Sequence, residues 1–214
     1  MYTKRVYPIL VARLGNPKPI QVLLRRTLAK ADGAVLELGF GSGVNLDYYD
    51  SERITRLYAL EPNKGMTEIA EKHPKRAAFH ITFLDLPGEQ IPLADQSIDT
   101  VVTTFTLCTV ADFEKVICGI ARVLRPKGRL IFIENTLSPD QSVQRWQKLW
   151  AAPLYHVFSG LDLTRDIPGV LQAGPFRLDE LHTGYLSAFP KSWSHCCWGI
   201  ATPRRDLGYL TSIQ

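Results

Sequence analysis

The sequence contains no apolar run near the ~20 residues needed to cross a bilayer, so no membrane-spanning helix is expected. Residues 1–14 lack a long apolar stretch and a small-residue cleavage site, and no secretory leader or membrane anchor is expected there. Cysteine is scarce. The four residues, at 108, 118, 196 and 197, form no Cys-x-x-Cys pair, and the adjacent Cys196 and Cys197 are poorly placed to bridge each other. Reduced thiols and a cytoplasmic protein are the expectation, with peripheral contact to a membrane left open. A strong charge of one sign is also missing. The net charge of +4 is small for 214 residues, and pairs such as Arg25-Arg26 and Arg204-Arg205 are not the long basic runs, interleaved with aromatics, that mark a nucleic-acid partner. Repeats, low-complexity tracts and linkers are lacking. A chain of this length can bury a substantial core as one domain, residues 1–214.

What is present is a regular alternation. Pro19 can open a helix in the basic and apolar segment before Lys30, and Ala31-Asp32-Gly33 ends it. Ala34–Leu38 reads as a short buried strand, followed at once by Gly39-Phe40-Gly41-Ser42-Gly43. A second strand over Arg56–Leu60, a helix over Met66–Lys72, a third strand over Ala78–Leu84 and a β-branched strand over Ile98–Thr104 follow. Asp112 caps a helix whose apolar positions Phe113, Val116, Ile117, Ile120, Val123 and Leu124 keep the helical period, and Arg125-Pro126-Lys127-Gly128 stops it. Leu130–Glu134 is the next strand. Phe176–Tyr185 and His195–Ala201 are two strands close in sequence, expected antiparallel. The plan is α/β: a doubly wound, mostly parallel seven-stranded sheet ending in a C-terminal antiparallel hairpin. Its parts are an N-terminal helical cover (1–33), a core (34–136), a helical lid (137–170) and the terminal hairpin (171–214).

The loop after the first strand carries the chemistry. Glu37-x-Gly39-x-Gly41-x-Gly43 lets backbone turn tightly and approach a ligand, and ligands of open α/β sheets bind beyond the carboxyl ends of the strands. A nicotinamide fingerprint would need glycine at 44, where Val44 stands, and no Gly-Lys-Ser/Thr follows to make a phosphate loop. An acid at this loop repels a pyrophosphate and attracts the ammonium of an amino acid. Glu61, closing the second strand about 20 residues on, can accept the two hydroxyls of a ribose. An amino acid joined to a ribose without phosphate describes S-adenosylmethionine.

Over residues 34–136 the chain resembles the class I S-adenosylmethionine-dependent methyltransferases, through Val35–Gly43, Ala59-Leu60-Glu61-Pro62, Ile91-Pro92-Leu93 with Ser97-Ile98-Asp99, and Arg122–Gly128. The resemblance implies a Rossmann-like fold and S-adenosylmethionine as cofactor, released as S-adenosylhomocysteine. Glu37, Gly39, Phe40, Gly41, Ser42, Gly43 and Asn45 should hold its methionine end, Glu61 and Pro62 the ribose, and Gly88 and Glu89 the adenine. The family's usual adenine-side acid falls on Pro87, so backbone near Gly88 takes that part. Thr106, Leu107 and Cys108 should lie beside the cofactor. A narrower resemblance, through Gly41–Leu46, Thr106–Val110, Trp146–Trp150, Gly160–Arg165 and His195–Gly199, is to the methyltransferase-like 7 group, which includes membrane-associated thiol methyltransferases.

Methyl transfer asks mainly that the acceptor be held aligned, at about 3–3.5 Å, so no strong catalytic signature is required. None is found. His156, Asp162, Arg165 and His195 are weak catalytic candidates, with His182 behind them, and each has an ordinary structural reading. His195-Cys196-Cys197 lacks a second ligand pair, and no metal is expected. Trp146, Leu149 and Trp150 form a stripe that reads as core packing or as the roof of an apolar acceptor pocket. The expected activity is methyl transfer to a small lipophilic acceptor, a thiol being one choice. The alternatives are a phospholipid or quinone-precursor methyltransferase at a membrane surface, a non-catalytic binder of the cofactor, and a nicotinamide oxidoreductase, which Val44 and Glu37 disfavour.

Overall fold

A computed structural model describes residues 17–158, 160–187 and 189–204. The parts of the expected cover and terminal segment in residues 1–16 and 205–214 lie outside them. Seven strands form one sheet in the order β3-β2-β1-β4-β5-β7-β6. They are β1 (Gly33–Leu38), β2 (Ile54–Leu60), β3 (Ile81–Leu84), β4 (Ile98–Thr104), β5 (Leu124–Asn135), β6 (Phe176–Tyr185) and β7 (His195–Pro203). The first five run parallel, and β7 is antiparallel to both β5 and β6. The helices are α1 (Lys18–Leu28), α2 (Lys64–Ala70), α3 (Phe113–Val123), α4 (Gln141–Val157), α5 (Ile167–Ala173) and the single turn α6 (Lys191–Ser194).

Side chains alternate across a strand, and here both faces are covered. Leu36, Val101, Leu130 and Phe132 pack on one face against α3 and α5. Val35, Val102, Ile131 and Ile133 pack on the other against Leu24 and Leu28 of α1. Helix α3 forms where the period required it: Asp112 accepts a hydrogen bond from the Lys115 amide at 3.0 Å, and Phe113, Val116, Ile117 and Ile120 are buried. Two bounds differ from the sequence reading by more than two residues. Strand β5 starts at Leu124 rather than Leu130, because Ile98 pairs with Leu124 and a bulge takes in Arg125–Gly128 before Thr100 pairs with Arg129. The third strand shortens to Ile81–Leu84, because Pro74 opens a 3-10 turn through Ala78.

The chain leaves β1 toward β2 on one side, while β4 lies on the other. This reversal of winding opens a crevice at the carboxyl ends of β1 and β4, where open α/β sheets take their ligands.

Candidate functional site

A cavity of about 1340 Å³ opens at this crevice. A site for one drug-sized ligand spans roughly 300–1,000 Å³, so there is room for two. Its floor is the loop after β1. Gly39, Gly41 and Gly43 all have positive φ (+69°, +57°, +80°), a region that penalises side chains bearing a Cβ. A Cβ on Gly39 would collide with Thr106, whereas one on Gly41 would meet only open space, with the nearest atom 3.9 Å away. That space belongs to the cavity, which Gly41 lines. Gly43 is off the cavity wall; its left-handed turn starts the 3-10 segment Val44–Asp47.

Glu61 directly follows β2 and lines the cavity while only 9% exposed. Its Oε2 accepts the Gly41 amide at 2.9 Å and its Oε1 the Asn63 amide at 2.8 Å. The carboxylate is therefore oriented by backbone on both sides. Burial raises its pKa, and the two amides oppose the rise.

Glu37 is not on the cavity wall. The side chain of β1 at this position points into the layer beneath, fully buried, where Asn45 Nδ2 donates to Oε1 at 2.7 Å and the Tyr49 hydroxyl to Oε2 at 2.7 Å. Burial pushes its carboxyl up to about 8 against these two hydrogen bonds, so near neutral pH it is largely an uncharged acid. Asn45 Nδ2 also donates to Thr104 Oγ1 at 2.9 Å. Both amide protons are thus committed, and it is Asn45, not Glu37, that lines the cavity.

The other expected positions divide in the same way. Phe40, Ser42, Pro62, Gly88, Glu89 and Thr106 line the cavity. Glu89 Oε1 accepts the amides of Ala111 and Asp112 at 3.2 and 3.3 Å, holding the entry to α3. Leu107 and Cys108 are fully buried behind the wall, and burial raises the Cys108 thiol. Sequence reasoning missed the reason this loop stays in place. Glu134, at the end of β5 and fully buried, accepts the amides of Thr106 at 3.2 Å and Cys108 at 3.3 Å. An acid ending a buried strand, in Ile133-Glu134-Asn135, was the available signal. Phe105, also missed, lines the cavity with a positive φ of +52°, a strained conformation for a bulky residue.

The far half of the cavity is apolar. Ile20 and Leu24 of α1, Phe158 after α4, Leu163 after it, Phe189 and Trp193 form its walls. Among the described lining residues of this half there is no imidazole, carboxylate or ammonium. The four catalytic candidates all lie elsewhere. Arg165 donates to the carbonyls of Leu107 (2.6 Å) and Val110 (3.2 Å), and the Asp162 amide donates to the Cys108 carbonyl at 2.8 Å; together they clamp the loop after β4. His195 is buried against Tyr185, with Nδ1 3.4 Å from the Thr136 carbonyl. His156 is exposed on α4, and His182 stacks on Trp198. The tryptophan stripe is neither core nor roof: Trp146, Leu149 and Trp150 are 55%, 66% and 43% exposed and do not line the cavity. The inward face of α4 is taken by Val143, Gln147 and Leu154 instead.

Residues 36–132 match the methyltransferase domain family. The human thiol S-methyltransferase TMT1B is 36% identical over 144 residues, 65% of this chain and 58% of that protein. The human thiol S-methyltransferase TMT1A is 30% identical over 167 residues, 75% of this chain and 65% of that protein. The matches thus span less than two thirds of either relative. Among solved structures, a SAM-dependent methyltransferase from Leishmania major superposes with a TM-score of 0.69 at 18% identity, covering 94% of this chain and 80% of that one. By sequence the chain is similar to the methyltransferase domain family over residues 36–132 and to proteins named thiol S-methyltransferases, and its fold is that of solved SAM-dependent methyltransferases.

Proposed function

We propose that the protein transfers a methyl group from S-adenosylmethionine to a small lipophilic thiol. The observation that carries this reading is a single cavity with two unlike halves: a polar cradle after β1 and β2, and an apolar chamber without a titratable base. The donor set fits the cofactor. Asn45, with both amide protons engaged by Glu37 and Thr104, has its Oδ1 left as an acceptor for the ammonium of the methionine end. Glu37 then acts through Asn45, as a positioning residue. Glu61, oriented by Gly41 and Asn63, keeps lone pairs for the ribose hydroxyls. Gly41 leaves open the space a side chain would fill, and the backbone near Gly88 and Glu89 flanks the adenine.

When bound, S-adenosylmethionine supplies a methyl group already activated by its sulfonium charge. The protein's part is to align the acceptor and exclude water. The apolar chamber holds an uncharged hydrocarbon body well but takes no proton from it. The acceptor must therefore reach its nucleophilic form unaided, which a thiol does far more readily than an alcohol or a protonated amine. Both relatives are named for thiol methylation.

Calorimetric titration with S-adenosylmethionine and, in parallel, NADH tests the cofactor. Micromolar binding of the first alone is expected, and no binding by the folded, cofactor-stripped protein rejects the proposal. Release of S-adenosylhomocysteine with aromatic and alkyl thiols, set against lipid amines and phenols, tests the acceptor. Turnover confined to amines would reject the thiol assignment.

A further inference from the structure

We propose that Asn135 receives the acceptor's sulfur, its Nδ2 donating a hydrogen bond that favours the thiolate over the thiol; this rests on the thiol acceptor proposed above. Asn135 is the last residue of β5 and stands opposite Cys196 in the antiparallel pairing with β7. Side chains alternate along a strand. Ile131 and Ile133 pack on the α1 side of the sheet, Leu130 and Phe132 on the other. Asn135 therefore emerges on the α1 side, and its neighbour Glu134 on the opposite one. Cys196 shares the α1 side with Trp198 and Ile200. Both Asn135 and Cys196 line the cavity, as do Ile20 and Leu24 of α1, which wall its apolar half.

The two ends of the amide are used differently. The Cys196 thiol donates to Oδ1 at 3.1 Å. Burial and the nearby Glu134 carboxylate push that thiol up to about 12, so near neutral pH it keeps its proton and remains a donor. With Oδ1 engaged, the amide is oriented and Nδ2 is the end left over. Among the described residues no group accepts from Nδ2. It is a donor offered to an apolar chamber, where a polar group left unmet is costly.

The surroundings select a sulfur anion. A thiol entering this chamber loses water, which favours its neutral form, and a hydrogen bond to the charged form opposes that. No cation does the same work nearby. The titratable groups around Asn135 are Cys196 on β7, Cys108 after β4, whose thiol meets the Asn135 backbone, and Glu134 on β5, all three raised by burial. His195 turns away to Tyr185 and the Thr136 carbonyl. The charged lining residues Glu61, Lys64, Glu68 and Glu89 belong to the segments after β2 and β3. Asn135 takes no proton; the thiol gives its proton to water, and the amide holds the anion that results. A sulfur lone pair then forms the new bond to the methyl carbon as that carbon's bond to the sulfonium breaks, the electron pair staying on the departing sulfur. Cys196 acts through Asn135, as a positioning residue.

A nitro-substituted thiophenol, whose thiolate absorbs visible light, tests this when titrated with pH on the full chain saturated with S-adenosylhomocysteine, which has no methyl to give. Asn135→Leu, close in shape but without a donor, should raise the bound thiol's pKa by at least about one unit, a tenfold shift toward the neutral form. Asn135→Asp, which sets an acid where the donor was, should raise it further. Cys196→Ala should raise it by less, and Cys196→Ser, whose hydroxyl also donates, should restore the parent value. The corresponding methyl thioether carries no charge at sulfur, so its binding should stay within about twofold in every variant. An unshifted pKa in the Asn135 variants, or equal losses of thiol and thioether binding in both, would overturn the role of Asn135 while thiol turnover by the parent still upheld the methyl-transfer reading. A parent that neither binds nor methylates the thiol would overturn both.

Discussion

Replacing Glu37 with Gln keeps the side chain's shape and an oxygen for the Asn45 amide while removing its ability to ionise. In the folded protein the carboxyl is raised from 4.5 to about 8 by burial. The folded state therefore holds a proton that the unfolded chain releases, and stability falls as pH rises between those two values. One proton per pH unit is worth about 1.4 kcal/mol, so between pH 5 and 7 this group removes on the order of 3 kcal/mol. For a chain of this size each kcal/mol moves the melting temperature by about 2–4 °C. The Glu37→Gln melting temperature should thus gain on the parent by roughly 5–10 °C as pH goes from 5 to 7. Thermal unfolding followed by circular dichroism in matched buffers reads this directly. The difference between the two proteins cancels the contributions of Glu61 and Glu134, whose carboxyls burial also raises. The same variant should bind S-adenosylmethionine within a few-fold of the parent, while Asn45→Ala should bind it at least about tenfold less tightly, consistent with a lost hydrogen bond to a charged group. A parallel pH course for parent and variant would refute the assignment of a neutral buried acid. A large loss of cofactor affinity in Glu37→Gln alone would show that the charge itself is used.

Three further substitutions probe the site. Glu61→Ala removes the partner of two backbone amides and the proposed ribose acceptor; calorimetry should find S-adenosylmethionine affinity lowered by roughly 10- to 100-fold, and a change within about twofold would remove Glu61 from the binding site. Gly39→Ala forces a Cβ against Thr106 at a φ of +69°, so urea unfolding should show a loss of at least about 1–2 kcal/mol; an unchanged midpoint would mean the loop moves freely. Arg165→Ala releases the carbonyls of Leu107 and Val110, which should lower stability by about 1.5–3 kcal/mol and raise KM for the acceptor more than it lowers kcat; the reverse pattern in steady-state kinetics would give Arg165 a direct part in the chemistry.

Much of the fold was legible along the chain, because each signal was local. The period of Phe113, Val116, Ile117 and Ile120, the cap at Asp112 and the β-branched run Ile98–Thr104 depend on neighbours a few residues away, and the elements formed there. The glycine spacing after β1 and the acid closing β2 were local in the same sense, and so pointed to the cofactor. The direction in which a buried polar side chain faces is not local. Glu37 was expected at the ligand because it begins the loop, yet strand alternation turns it into the layer below, where Asn45 and Tyr49 reach it from the segment after the loop. Leu107 and Cys108 follow Thr106 in sequence but not in space, since Glu134 and Arg165 draw their backbone behind the wall.

Hydrophobic period and backbone freedom act over single turns, so the alternation of strands and helices, the glycine loop and the acids near the ends of the first two strands could be read along the chain. Long-range packing settled which of those acids meets the cavity, that the histidines stand away from it, and that Trp146 and Trp150 of α4 face outward. Those outcomes depend on how far-separated segments pack, and a helix stripe at proper spacing does not say which of two flanks the rest of the chain will cover.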